Sequence, residues 1–394
     1  SGWRVTENDG GPPSPSEATG PATDRAATSA AILNGGPLDT APIQTLLELF
    51  ERATTTWPER GLHFLDDELE ETFVSYRELR EGASRVLSGI RRTGAAPGDP
   101  VILDLPDRAA FLTTFWACIL GGFVPVPVSG AAAAGDGFEI SEPLAQTWEY
   151  LGQPLIVRTG SRDPGGPELE DPRSVGDPPP RFAWFEELRQ GEASEGPHRS
   201  GPDDPALIVM TSGSTGEPKG VVLTHGNVVA QAAGTNQLLE LTPADVFVNV
   251  MPLEHVGGII LTHVDAVLQG CSQVQVPTAT LQSDPLKWLD TIDEWRGTVT
   301  WVPNFAIGLV LDRVAETGTR DWDLSCLRHL LNGSEPVVPS TTRDFVRIMG
   351  RHGFEEDSME PVWGMSETAA GVVYSRSYSL SNTADEDANT ALGV

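Results

Sequence analysis

The sequence predicts an α/β protein: doubly wound, mainly parallel sheets with helices on both faces. Three observations carry that expectation. Short apolar runs alternate with stretches of helical period between residues 75 and 350. Gly, Pro, Asn and Asp punctuate the junctions. A length of 394 residues suffices for two domains or one large α/β unit with insertions.

The elements follow in order. Ser75-Tyr76-Arg77-Glu78 is a capping box, and Leu79, Ala83, Val86, Leu87 and Ile90 recur at helical spacing until Gly94. Val101–Leu103 is a strand, Arg108–Leu120 a mostly apolar buried helix, and Phe123–Val126 a strand. The stretch 159–204 is a flexible insertion rich in Pro, Gly and acids, within which Phe182–Leu188 forms one short packed helix. Ala206–Met210 is a buried strand. Helices near 226–240, 257–269, 285–295, 304–316 and 338–350 then alternate with strands at 246–250, 273–276, 298–302 and 327–331. Ligands in such a fold gather at the carboxyl ends of strands.

Composition bounds the partners. A net charge of −30 argues against a nucleic-acid surface and against anionic membrane. No run of eighteen apolar residues offers a spanning helix, and the N-terminus lacks the apolar core of a signal peptide. Cys118, Cys271 and Cys326 lie far apart without metal spacing and read as thiols of a reducing compartment, so the expected address is cytoplasmic. Residues 1–40 are poor in large apolar side chains and are expected to be disordered or a linker.

Residues 211–220, TSGSTGEPKG, lie where a ligand is expected. Small residues serve a flexible linker or a loop whose N–H groups close on an anion. The apolar strand before, and Val221-Val222-Leu223 and a helix start after, favour the phosphate loop. It is not a Walker loop, because Pro218 precedes Lys219 and Gly220 follows it. Nor does a G-x-S-x-G elbow surround Ser212 or Ser214. Only Lys219 and Lys287 among twenty-six basic side chains are lysines. A compact ammonium in this loop suits a phosphate oxygen that moves during reaction.

Two further stretches, Asn332-Gly333-Ser334-Glu335-Pro336 and Trp363-Gly364-Met365-Ser366-Glu367-Thr368, complete a set. Trp363 offers a flat face beside Gly364, where backbone can approach a purine; alone it would equally serve as a core aromatic. Glu367 offers a carboxylate for Mg²⁺ near phosphates, or a plain surface acid. Asn332 and Glu335 alone could cap helix 338–350.

In this order the three motifs resemble those of the adenylate-forming superfamily of acyl-CoA synthetases, peptide-synthetase adenylation domains and luciferases, over residues 43–394. The resemblance implies the large N-terminal core domain (residues 41–394), with ATP and Mg²⁺ as cofactors. Thr211, Ser212, Gly213, Ser214, Thr215, Gly216 and Lys219 would hold the leaving phosphates, and Glu367 the metal. The 332–336 segment would bind the adenosine together with Trp363, Gly364, Met365 and Ser366. His255, Val256, Gly258, Asn304, Phe305, Ile307 and Asn332 would line the acid site, with Lys219, Glu367 and His255 as the catalytic set.

Within the superfamily, Asp284-Pro285-Leu286-Lys287-Trp288-Leu289, Pro303-Asn304-Phe305-Ala306 and Asp323-Leu324-Ser325 are similar to fatty acyl-AMP ligases. That branch usually has Tyr before the histidine and Asp after it; here Glu254 and Val256 flank His255. Amino-acid-activating relatives place an Asp at the position of Val256 to hold the α-ammonium, so a fatty or other non-amino carboxylic acid is expected. The acyl group would pass to the phosphopantetheine thiol of an acyl or peptidyl carrier protein, or to coenzyme A. The family's smaller C-terminal subdomain, with its catalytic lysine, is expected to be absent, since neither Lys219 nor Lys287 matches it. That leaves two classes: an assembly-line enzyme that adenylates poorly in this form, and a nucleotide-binding module without turnover.

Overall fold

The computed structural model describes residues 37–38, 43–128, 140–159, 180–194, 196–212 and 218–381. Nearly all of 1–40, residues 160–179 within the 159–204 insertion and the tail beyond 381 lie outside the described residues.

Fourteen strands are described: β1 Gly61–Leu65, β2 Glu71–Ser75, β3 Pro100–Asp104, β4 Val124–Pro127, β5 Leu155–Arg158, β6 Phe182–Trp184, β7 Pro205–Ser212, β8 Pro218–Thr224, β9 Val246–Asn249, β10 Ser272–Gln275, β11 Val299–Val302, β12 His329–Gly333, β13 Met359–Met365 and β14 Ala370–Tyr374. The main sheet has the order β14-β13-β12-β11-β9-β10-β1-β2. Its interior pairs are parallel, and only the two edges, β13–β14 and β1–β2, are antiparallel. A second sheet, β4-β3-β5-β6, is parallel throughout, and β7–β8 is a separate antiparallel hairpin. The expected α/β architecture with mainly parallel sheets is observed.

Alternation along β3 shows why two apolar cores form. Val101 and Leu103 join the large core, while Ile102 faces a smaller one with Val126, Leu144, Trp148 and Ile208. A strand buried on both faces needs apolar residues at consecutive positions. Helices Tyr76–Arg92 and Arg108–Gly121 pack together and feed the large core. Ser75 caps the first as expected, its hydroxyl accepting from Glu78 N–H while Glu78 accepts from Ser75 N–H. The second is buried nearly all round, with Trp116 stacked on Phe50 at 4.1 Å.

Three expectations are corrected. Phe182–Leu188 is not one helix: Phe182–Trp184 pairs with β5, and only Phe185–Leu188 turns helically. A parallel partner in register outweighs the weak preference of so short a run. Residues 257–269 are helical, but Gly257–Val264 is π-helical and only Asp265–Gln269 is α. Asn332 and Glu335 do not cap the helix at 338–350. Asn332 belongs to β12, Glu335 accepts from Phe305 N–H at 2.5 Å, and Asn304 accepts from Val338 N–H at 3.1 Å. Each segment therefore satisfies the free donors of the other's helix.

Candidate active site

A cavity of about 370 Å³ opens where β7, the 255–261 segment, β11, β12 and the β13–β14 hairpin meet. Residues from all three motif regions line it: Thr211, Ser334, and Gly364 to Glu367, together with His255, Val256, Gly257, Leu261 and Trp301. Segments up to about 150 residues apart thus meet at one point.

The expected phosphate loop is flanked by the paired strands β7 and β8. Thr211 pairs with Lys219 across it, and its hydroxyl donates to the Lys219 carbonyl at 3.4 Å. The Lys219 side chain is exposed. Gly213, Ser214, Thr215 and Gly216 lie outside the described residues; Ser212 is placed as the last residue of β7.

The β13–β14 hairpin forms the rim through backbone geometry. A Cβ on Gly364 would run into the Ala370 carbonyl, so only glycine allows the strands this approach, and the register shifts at Trp363/Gly364. Ser334 and Ala369 hold φ of 74° and 59°, left-handed values that cost a non-glycine residue about 1 kcal/mol. Such outliers gather at ligand sites. Trp363 is 44% exposed at the rim, which sets aside the core-aromatic alternative, and Met365 is similarly open. Glu367 and Ser366 lie on a single turn, Ser366–Thr368, closed by Thr368, whose hydroxyl accepts from Met365 N–H at 3.0 Å.

On β12, Asn332 is buried; its amide donates to the Val302 carbonyl at 3.0 Å while its Oδ1 has no partner among the described residues. Gly333 ends the strand, and Ser334, Glu335 and Pro336 emerge exposed. Among the other expected acid-site residues, Phe305 is exposed and Asn304 buried in its capping bond, whereas Ile307 is packed in the large core away from the cavity.

The opposite wall is a loop from Met251 to Gly258. His255 opens to the cavity mouth and stacks on Trp301 at 5.4 Å with 16° between planes. Gly257 N–H donates to its Nδ1 at 3.1 Å, which leaves the proton of the neutral ring on Nε2. The enclosing protein lowers its pKa, with Glu254 opposing. Val256 is buried and apolar. Gly258 packs directly on the Pro252 carbonyl, where a Cβ has no room.

Behind the loop runs a buried polar network the sequence reading missed. Asn249 Oδ1 accepts from Met251 N–H at 2.9 Å, and its amide donates to the Gly258 carbonyl at 3.3 Å and to Gln275 at 3.1 Å. Gln275 continues to Gln273 at 3.2 Å, and Gln273 to Tyr76 at 3.0 Å and His263 at 2.8 Å. Trp116 N–H donates to His263 Nε2 at 2.9 Å, so Nδ1 carries the ring proton toward Gln273. Burial pushes the His263 pKa down to about 4, so the ring is neutral. The run of three amides, Asn249, Gln273 and Gln275, inside apolar strands was the available signal.

The residues fit the implied groups. Among the described residues no three His, Cys, Asp or Glu side chains could hold a metal by themselves. A lone Glu367 beside a phosphate loop suits Mg²⁺, which keeps waters and binds through one or two carboxylates plus phosphates. The glycine-tight rim at Gly364 suits a nucleotide, whereas Asn332 is fully buried on β12 and does not line the cavity. No described helix is long and apolar enough to cross a membrane.

A family description, "AMP-binding enzyme", matches residues 50–393. Aspulvinone E synthetase melA of Aspergillus terreus is 29% identical over 314 residues, 76% of this chain and 32% of that protein. The chain thus spans about a third of the length of the curated relatives it matches. Among solved structures, the adenylation domain of a keto acid-selecting NRPS module bound to keto acyl adenylate is 34% identical, with a TM-score of 0.78 over 89% of this chain and 65% of that one. Fatty acyl-adenylate ligases from E. coli and L. pneumophila are 26% identical, with a TM-score of 0.74 over 86% and 60%.

Proposed function

The chain belongs to the family of AMP-binding enzymes, and from that premise we propose that it activates a carboxylic acid lacking an α-amine. The acid and ATP give an acyl-adenylate and pyrophosphate, and the acyl group then passes to a carrier-protein pantetheine thiol. The carrying observation is Val256, buried and apolar on the cavity wall where an α-ammonium would need a carboxylate.

In this reading the carboxylate attacks the α-phosphorus of ATP, forming the C–O–P linkage as the bond to the leaving pyrophosphate breaks. Thr211, Lys219 and the loop tip hold the leaving phosphates; the rim at Gly364 and the Trp363 face hold the adenosine. Mg²⁺ bound at Glu367 would supply charge neutralisation on the phosphates.

The acid is fatty or 2-oxo, and the 2-oxo class has specific support. Among the described residues no acceptor meets the Nε2–H of His255, which a 2-oxo oxygen could take, and the 34%-identical adenylation domain holds a keto acyl adenylate. Acid-dependent exchange of labelled pyrophosphate into ATP, measured on the longest natural chain carrying this sequence, tests the proposal. Exchange requiring both Mg²⁺ and an acid from a fatty and 2-oxo panel is expected. Tight nucleotide binding with no exchange for any acid would favour the binding module instead.

A further inference from the structure

We infer that Arg108, far from the three motifs, is a positioning residue that fixes the acid-selecting loop. The inference rests on the reading of that loop as the acid site. Arg108 is the first residue of the helix after β3, in the second sheet's part of the fold. Its guanidinium reaches across to the main sheet. Nη2 donates to the Met251 carbonyl at 2.7 Å and to Thr278 Oγ1 at 3.2 Å; Nη1 donates to Gln275 Oε1 at 2.9 Å.

These bonds close a ring. Gln275 Oε1 accepts from both Arg108 and Asn249, and Asn249 takes the Met251 N–H. Met251 is therefore held at its carbonyl by one sheet's crossover and at its amide by the other sheet's strand end. Asn249 and Gln275 stand opposite each other in register, the last residues of β9 and β10. Four residues beyond Met251 comes His255, with Val256 next.

The chemistry of Arg108 marks it as more than filler. Burial pushes its pKa down to about 10, with Glu254 opposing, so the group is desolvated yet charged at neutral pH. Among the described residues it has no ion pair; its charge rests on carbonyl and hydroxyl dipoles. It also faces a second cavity of about 900 Å³, lined on the loop side by Pro252, Leu253 and Glu254. The same loop thus separates two cavities, with Arg108 gripping its first residue. Three directed bonds in a planar fork set orientation as well as distance.

The test compares Arg108→Met, Arg108→Lys and Asn249→Ala in the longest natural chain. Arg108→Met should raise KM for the acid by about 10²-fold, the cost of a small misplacement at a reacting site. KM for ATP should stay within about twofold, because the nucleotide rim is held by other elements. Arg108→Lys should recover most of the loss by restoring a donor to the Met251 carbonyl. Asn249→Ala should mimic Arg108→Met, and the double variant should add little, since both act on one peptide.

Calorimetry with AMP and with an acyl-adenosine sulfamate gives the same answer without turnover: AMP affinity kept, sulfamate affinity lost. Equal changes in both KM values, or a lowered melting midpoint with unchanged kinetics, would make Arg108 a structural strut and overturn the inference. If Arg108→Met does not fold, the Lys and Asn249 variants decide it. If the unmutated chain exchanges no pyrophosphate, the proposed function fails, while the two calorimetric affinities still decide the role of Arg108.

Discussion

The two walls of the cavity are held in different ways. The proposed nucleotide rim, residues 332–336 and 362–371, is fixed by its own backbone: Gly364 lets two strands touch, and Ser334 and Ala369 sit at left-handed φ. Its side chains, Trp363, Met365 and Glu367, stay exposed. The proposed acid wall, residues 251–258, is fixed from behind by the buried side chains of Asn249 and Gln275 and the half-buried Arg108, which come from three separate elements. Local geometry leaves a contiguous trace in sequence, whereas a clamp assembled across sheets does not.

The comparison breaks first at Gly364. Gly364→Ala should cost about 3 kcal/mol of stability, at the upper end of overpacking, because the added methyl meets a carbonyl and not a yielding side chain. It should also weaken AMP binding while leaving the acid wall untouched. Urea unfolding and AMP calorimetry check this; a variant of unchanged stability and affinity would show that the rim is not held by that approach.

That contrast explains what was legible. Ser75–Glu78, the Arg108 helix and the strand–helix alternation after residue 246 follow from caps and periodicity and appear as expected. Members of the three motifs, Thr211, Ser334 and Gly364 to Glu367, meet at one cavity, whereas Lys219, Asn332 and Trp363 do not line it. The edge strands β2 and β14 gave no signal, because edges tolerate polar residues and short runs. Phe182–Trp184 took its conformation from β5, a partner invisible locally. Ile307, assigned to the acid site by motif proximity, faces the core because helical phase turned it inward.

A second test sharpens the comparison within the acid wall. The network behind the loop is paired through to His263, yet two residues later Asp265 is fully buried, and among the described residues neither carboxylate oxygen has a partner. Burial raises its pKa well above the ordinary carboxylate value. For an acid with a raised folded pKa, the folded state holds the proton longer. Stability is therefore full below the unfolded value of about 3.9 and falls as pH rises toward the folded pKa. The slope from this one group is at most about 1.4 kcal/mol per pH unit. Asp265→Asn should flatten that decline, raising stability at pH 7 relative to the parent. Melting midpoints of both chains between pH 4 and pH 8 decide it; parallel curves would mean that Asp265 is solvated or paired.

The central claim is that the wall carrying Val256 and a neutral His255 selects acids without an α-amine. Its most direct measurement is the ratio of kcat/KM, in pyrophosphate exchange by the longest natural chain, for a 2-oxo acid and its matched 2-amino acid. An ammonium set against Val256 loses hydration without a partner, a penalty of about 3 kcal/mol even in a partly wet site. The predicted ratio is therefore on the order of 10² in favour of the oxo acid. A ratio near one, or one favouring the amino acid, would contradict the account and place the missing carboxylate elsewhere in the cavity.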